Sequence, residues 1–180
     1  MKTIFLTLIA VASIVSAYGQ NSKTLVVYYS RTGNTETVAK HIQTLTGADM
    51  FRVETVKSYP EGYHETTEVA KQELSANARP EIKDKVENIA QYETVFIGFP
   101  IWWGTYPMAV ATFMENHNLQ GKTIIPFCTH GGGGVDKGFT DVQRSSPNSQ
   151  HLKGLSLSGS RAGSSMSEVE KWLREIKVID

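Results

Sequence analysis

The chain has 180 residues, enough for one domain with a sizeable buried core. Eighteen Lys and Arg balance eighteen Asp and Glu; no basic stripe marks a nucleic-acid interface and no cationic amphipathic stretch marks a membrane surface. A single cysteine, Cys128, excludes an internal disulfide.

The first segment, Ile4 to Ala17, is almost wholly apolar, follows Lys2 and ends in Val15-Ser16-Ala17. That is the order of parts in a secretory signal peptide, assigned to residues 1–17 with cleavage possible as late as Gln20. It is shorter than the roughly 18 residues of a membrane span, so the mature chain has no span. No paired arginines precede it, which makes the route Sec-type and the destination periplasmic. A domain over residues 23–180 follows.

Within that domain strands and helices alternate. Thr24–Tyr29 reads as a first strand, Asn34–Thr46 as a helix closed by Gly47, and Met50–Val56 as a second strand. A polar helix is predicted over Tyr63–Asn77, with helical character again in Asp84–Ala90. Thr94–Phe99 reads as the third strand. A helix follows Pro107, with Met108, Val110, Ala111 and Met114 at helical spacing. Thr123–Thr129 and Leu155–Ser158 are the fourth and fifth strands. Ser167–Lys177 is the last helix, with Ser167 and Glu170 spaced as a capping box. Strands one, three and four are nearly unbroken apolar runs, as in strands covered on both faces of a parallel sheet. The order predicts an α/β, three-layer, doubly wound sheet of five parallel strands, whose ligands bind beyond the carboxyl ends of the strands.

Three of those strand ends carry unusual loops. After the first comes Ser30-Arg31-Thr32-Gly33-Asn34-Thr35, opening directly into a helix. The first amides of a helix lack internal acceptors and sit at the positive end of its dipole, and hydroxyls of Ser30, Thr32 and Thr35 with the Asn34 amide add donors, so the loop is read as a phosphate site, beside the plainer alternative of an ordinary capped helix. No Lys follows Gly33, as a Walker A loop requires, and one glycine does not make a dinucleotide fingerprint; the loop suits a phosphate monoester. After the third strand comes Pro100-Ile101-Trp102-Trp103-Gly104. Adjacent side chains of extended backbone point opposite ways, so Trp103 is expected against a flat heteroaromatic ring and Trp102 in a structural role. After the fourth comes Thr129-His130-Gly131-Gly132, where bare peptide groups can meet a ligand edge. This HGGG has no G-x-S-x-G partner, which removes an esterase reading. His41, His64, His117 and His151 lack metal-ligand spacing, and no metal site is assigned.

S-R-T-G-N-T, P-I-W-W-G-T-Y-P and T-H-G-G-G-G, in that order at strand ends, resemble the phosphate loop and the two ring-flanking loops of the flavodoxin family. The resemblance implies strand order 2-1-3-4-5 and one non-covalent FMN. It implies phosphate contacts from Ser30, Thr32, Gly33, Asn34 and Thr35, with Arg31 at the edge. Ring contacts would come from Pro100, Ile101, Trp102, Trp103 and Gly104, and from Thr129, His130, Gly131 and Gly132. The function implied is electron transfer through FMN, to a redox partner protein or a small-molecule electron acceptor. Electron-carrying flavodoxins are strongly acidic and this chain is neutral, so an FMN-dependent NAD(P)H or quinone reductase stands beside the carrier. A non-redox flavin-binding module is a third reading. A Sec-type passenger crosses unfolded, so FMN would bind after export.

Overall fold

Alternation along the central strands decides which face each side chain covers. In β1 (Thr24–Tyr28), Val26 and Tyr28 fall on one face of the sheet and Leu25 and Val27 on the other. The computed structural model describes residues 23–180; the signal peptide read over residues 1–17 lies outside them. β1, β3 (Thr94–Pro100) and β4 (Thr123–His130) form the middle of a parallel sheet and are buried almost throughout, because helices lie on both sides. α1 (Asn34–Thr46) and α5 (Met166–Glu175) cover one face, packing Val38, Ile42, Val169 and Leu173 on Val26, Phe96 and Phe127. α3 (Met108–Asn116) and α4 (Gly138–Ser145) cover the other, with Val110, Phe113 and Val142 on Val27, Ile97 and Ile124. α2 (Tyr63–Ser75) lies beside α3 on that second face. No helix of the described residues is long and apolar enough to cross a membrane.

The strand order is β2-β1-β3-β4-β5, as expected, but the sheet has six strands rather than five. β5 (Gln150–His151) pairs with Thr123 and Ile124 of β4, and β6 (Leu155–Ser158) pairs with Phe127 to His130 of the same strand. The predicted fifth strand is β6, and β5 is a second piece of the same edge. The break between them has a cause: the Lys153 carbonyl turns to accept the Trp172 indole N–H at 2.8 Å. Gly154 there sits against Phe139 and the Pro126 carbonyl, where a Cβ would stand 2.5 and 2.7 Å away.

β2 (Asp49–Arg52) is shorter than predicted. Val53 N–H makes a last bond to the Tyr28 carbonyl, after which Thr55 bridges antiparallel to Ile82 and Val56 N–H reaches the Glu81 carbonyl. The chain leaves the sheet to pair with the segment before β3, and the helix predicted over Asp84–Ala90 shrinks to a 3-10 turn at Ile89–Gln91. The capping box at Ser167 also does not form. α5 starts at Met166, Ser165 precedes it and turns its hydroxyl back to the Ala162 carbonyl at 2.8 Å, and Glu170 pairs with Arg174. α1 ends as predicted, with Gly47 at φ +67 donating to the Gln43 carbonyl.

Candidate functional site

The carboxyl ends of β1, β3, β4 and β6 open into one cleft of about 590 Å³. Twelve residues of the three predicted loops line it: Ser30, Arg31, Thr32, Asn34, Thr35, Pro100, Ile101, Trp102, Trp103, Thr129, His130 and Gly131. Gly33, Gly104 and Gly132 do not; each acts within its own turn. Arg31 lines the cleft, but its guanidinium is drawn off the loop to the Pro60 and Glu61 carbonyls, pinning the approach to α2.

Gly33 sits at φ +88 immediately before α1, and no side chain caps the helix. Its carbonyl accepts from Thr37 N–H at 2.9 Å and from the Thr37 hydroxyl at 3.0 Å. Thr37 thus supplies the helix's first internal donor, and the amides of Asn34, Thr35 and Glu36 have no acceptor inside it. Beside them the Ser30 hydroxyl is buried and has no hydrogen-bond partner. A buried hydroxyl without a partner costs free energy that an anionic ligand would recover. Glu36 does not oppose that charge, because it is bonded to Lys40 and Arg52; the Lys40 bond holds its carboxyl below the usual range. The buried Thr35 and Thr129 hydroxyls lie 2.8 Å apart and join this loop to the end of β4.

Trp102 to Thr105 form a two-residue hairpin. Trp102 N–H donates to the Thr105 carbonyl at 2.8 Å, Thr105 N–H returns the bond at 3.1 Å, and φ is +50 at Trp103 and +80 at Gly104. Both central residues are left-handed, the geometry of a type I′ turn; it suits Gly104 and strains Trp103. The turn separates the two indoles. Trp102 packs edge-on against Tyr29 and Tyr59, with centroids 5.5 and 5.2 Å away. Trp103 stands 46% exposed at the cleft, its N–H on the Thr67 carbonyl at 2.9 Å and Lys71 Nζ 5.2 Å from its ring. The far end of the glycine loop braces this turn through Lys137 N–H on the Gly104 carbonyl at 2.9 Å. A Cβ on Gly104 would lie 2.2 Å from Asp136 Oδ2. Gly104→Ala is therefore expected to lose roughly 1–2 kcal/mol of stability and to alter the near-ultraviolet tryptophan dichroism, measured by thermal denaturation and circular dichroism.

Two groups of lining residues lay outside the sequence reading. Tyr63, Thr66, Thr67 and Ala70 form a wall from α2, and nothing in a polar helix distant in sequence marked them. Ser158 ends β6 and Gly159 and Ser160 follow it, and small polar residues at a strand end were the signal already used at the other strand ends. Gly159 lies so near the phosphate loop that a Cβ would meet Asn34 Nδ2 at 2.6 Å.

The cleft holds no paired carboxylates, and among the described residues no three His, Cys, Asp or Glu are grouped to hold a metal. Cys128 lies within the core, its thiol pushed up to about 11 by burial, which rules out a ready thiolate nucleophile. The cleft instead brings together an uncapped helix start with a buried unpartnered hydroxyl, an exposed indole and bare peptide at one opening.

No curated protein matches the chain. The profile of the flavodoxin family matches residues 23–176. A crystal structure described as a candidate flavoprotein from Bacteroides eggerthii is 32% identical, with a TM-score of 0.78 over 88% of this chain and 100% of that one. A candidate flavoprotein from Bacteroides uniformis is 31% identical, with a TM-score of 0.77 over 86% of this chain and 99% of that one. A flavoprotein from Lactobacillus acidophilus, crystallised with FMN, shares the fold at 22% identity and a TM-score of 0.67, over 84% of this chain and 98% of that one. With a profile match across nearly all the described residues, the chain belongs to the flavodoxin family.

Proposed function

We propose that the protein holds one FMN non-covalently and passes electrons through it. The observation that carries this reading is the buried Ser30 hydroxyl, which lacks a partner beside the uncapped start of α1. A phosphate monoester fits that donor set, since it brings negative charge and several acceptors to donors that have none. In this reading Ser30, Thr32, Asn34 and Thr35 hold the phosphate. Trp103 lies against the ring, and the peptides from Thr129 to Gly131 meet its polar edge. Bound there, FMN supplies one- and two-electron redox chemistry. The chain's part is to grip the phosphate, orient the ring and cover it with indole and peptide. The exposed Trp103 at the cleft mouth leaves the site open to a partner, which favours the carrier role.

A second reading is an FMN-dependent reductase, favoured by the α2 wall of Tyr63, Thr67 and Ala70, which extends the cleft beyond the three ring and phosphate loops. Titration of the purified protein with FMN tests the common part. Flavin fluorescence should be quenched on binding, and Trp103→Ala should restore much of it while weakening binding about tenfold, the loss of one aromatic stack. Unquenched FMN, with no spectral change at any ratio, would overturn the proposal. Bleaching of bound FMN by NADH or NADPH alone would select the reductase; bleaching only through a protein donor would select the carrier.

A further inference from the structure

The five histidines of the described residues are not equivalent. His117 uses both ring nitrogens inside the fold, Nε2 accepting from Val86 N–H at 3.0 Å and Nδ1 lying 2.7 Å from the Phe113 carbonyl. His41 and His151 are tied to Ser165 and to the Ser146 carbonyl, and His64 stands edge-on to Tyr63. His130 alone lines the cleft. Its Nδ1 accepts the backbone N–H of Gly132 at 3.0 Å. A nitrogen that accepts from an amide carries no hydrogen, so in the neutral ring the hydrogen sits on Nε2. Among the described residues that N–H has no partner.

The same contact accounts for Gly132. It stands at φ +125, where a side chain is strained, and a Cβ there would meet nothing within 4 Å. Packing does not require the glycine; the backbone turn that brings its N–H onto the imidazole does. Gly132 lies outside the cleft and His130 within it, so the turn positions the histidine rather than the ligand.

We propose that His130 is a tautomer-locked, neutral hydrogen-bond donor to a ligand oxygen that gains negative charge on reduction. Neutral imidazole can act as an electrophile of this kind without giving up its proton. The role rests on the FMN reading, and the oxygen belongs to a carbonyl of the bound ring or of a small acceptor above it. Donation to an oxygen that becomes more negative is stronger in the reduced state, so His130 favours reduced over oxidised ligand. No atom is transferred: Nε2–H stays on the ring, and the electrons come from whatever reduces the FMN.

Two measurements test this. In the ligand-free protein, nitrogen NMR at neutral pH should show His130 with Nδ1 bare and Nε2 protonated; the opposite tautomer would overturn the proposal. Next, dissociation constants of oxidised and dithionite-reduced FMN are compared in wild type, His130→Ala and His130→Gln. In His130→Ala the preference for reduced over oxidised FMN should fall about tenfold, the worth of one hydrogen bond to a charged acceptor. His130→Gln, which can place an amide N–H near the Nε2 position, should keep most of it. A shift with FMN alone assigns the oxygen to the ring. With the FMN ratio unchanged, a loss in His130→Ala of binding of a redox-inert phenolate, which carries the negative oxygen of a reduced quinone, to the FMN-loaded protein assigns it to the acceptor. An unchanged ratio together with unchanged phenolate binding, with oxidised-FMN binding intact, sinks the role of His130 and leaves the FMN reading standing. Failure of wild type to bind either form sinks the FMN reading itself.

Discussion

Riboflavin should bind this protein at least about 100-fold more weakly than FMN, because it forfeits two or more charge-assisted bonds of about 1.5–3 kcal/mol each. The socket that makes this difference is present without the ligand: the amides of Asn34, Thr35 and Glu36 precede the first internal donor of α1, and the Ser30 hydroxyl lacks a partner. Ser30→Ala removes one donor and should weaken FMN by about tenfold, with riboflavin left nearly unchanged. Fluorescence titration of both flavins against both proteins gives the four constants. Their comparison matters more than any one of them, since a loss shared by FMN and riboflavin would mean a displaced ring or a disturbed fold. Equal affinity for the two flavins in wild type would remove the basis for a phosphate at this turn.

The second large effect lies in the sheet. Gly98 faces Phe127 in the β3–β4 register, and a Cβ on it would stand 2.0 Å from the end of the Phe127 ring, with two further ring atoms within 2.6 Å. Phe127 is fully buried under α1 and α5 and has no open side to move into. Gly98→Ala is expected to lose about 3 kcal/mol, at the upper end of overpacking costs, read from urea denaturation. Combining it with Phe127→Leu, which trims the ring, should return part of that loss, a non-additivity that separates a steric clash from a general intolerance of strand substitution. The two strands that meet at this pair end in the two loops expected to hold the ring. Variants that remain folded should therefore also bind FMN more weakly.

Much of the architecture was legible because the sequence signals were local and agreed with one another. Val26 to Tyr28, Val95 to Phe99 and Ile124 to Cys128 are apolar runs of strand length, and each breaks into small polar or aromatic residues where the sheet ends. Gly47 and Pro107 punctuate their helices from within the neighbouring sequence. The misses share a different origin. α4 follows a run of glycines and has only Val142 as a fully buried large apolar residue, so its helical pattern was too brief to stand out. Ser167 and Glu170 satisfied a local rule, yet Ser165 precedes the helix because Ala162 and His41 offer it partners from elsewhere in the fold. The split edge strand depends on Trp172 and Phe139, both distant in sequence from Gly154. The α2 wall of the cleft is likewise a product of tertiary packing. Alternation in extended backbone predicted that the two tryptophans point apart, but what parts them is a left-handed turn at Trp103 and Gly104, braced by Lys137 from another loop, which no local signal marked.

Lys23 enters the sheet beside Glu93 and Thr94, whose N–H groups both reach its carbonyl, at the pole where the parallel strands begin. The cleft opens at the other one. Anything joined upstream of Lys23, whether an affinity handle, a surface linkage or a fusion partner, departs from the back of the molecule. Immobilised through that end on an electrode or a bead, the protein would present the cleft outward to the solution.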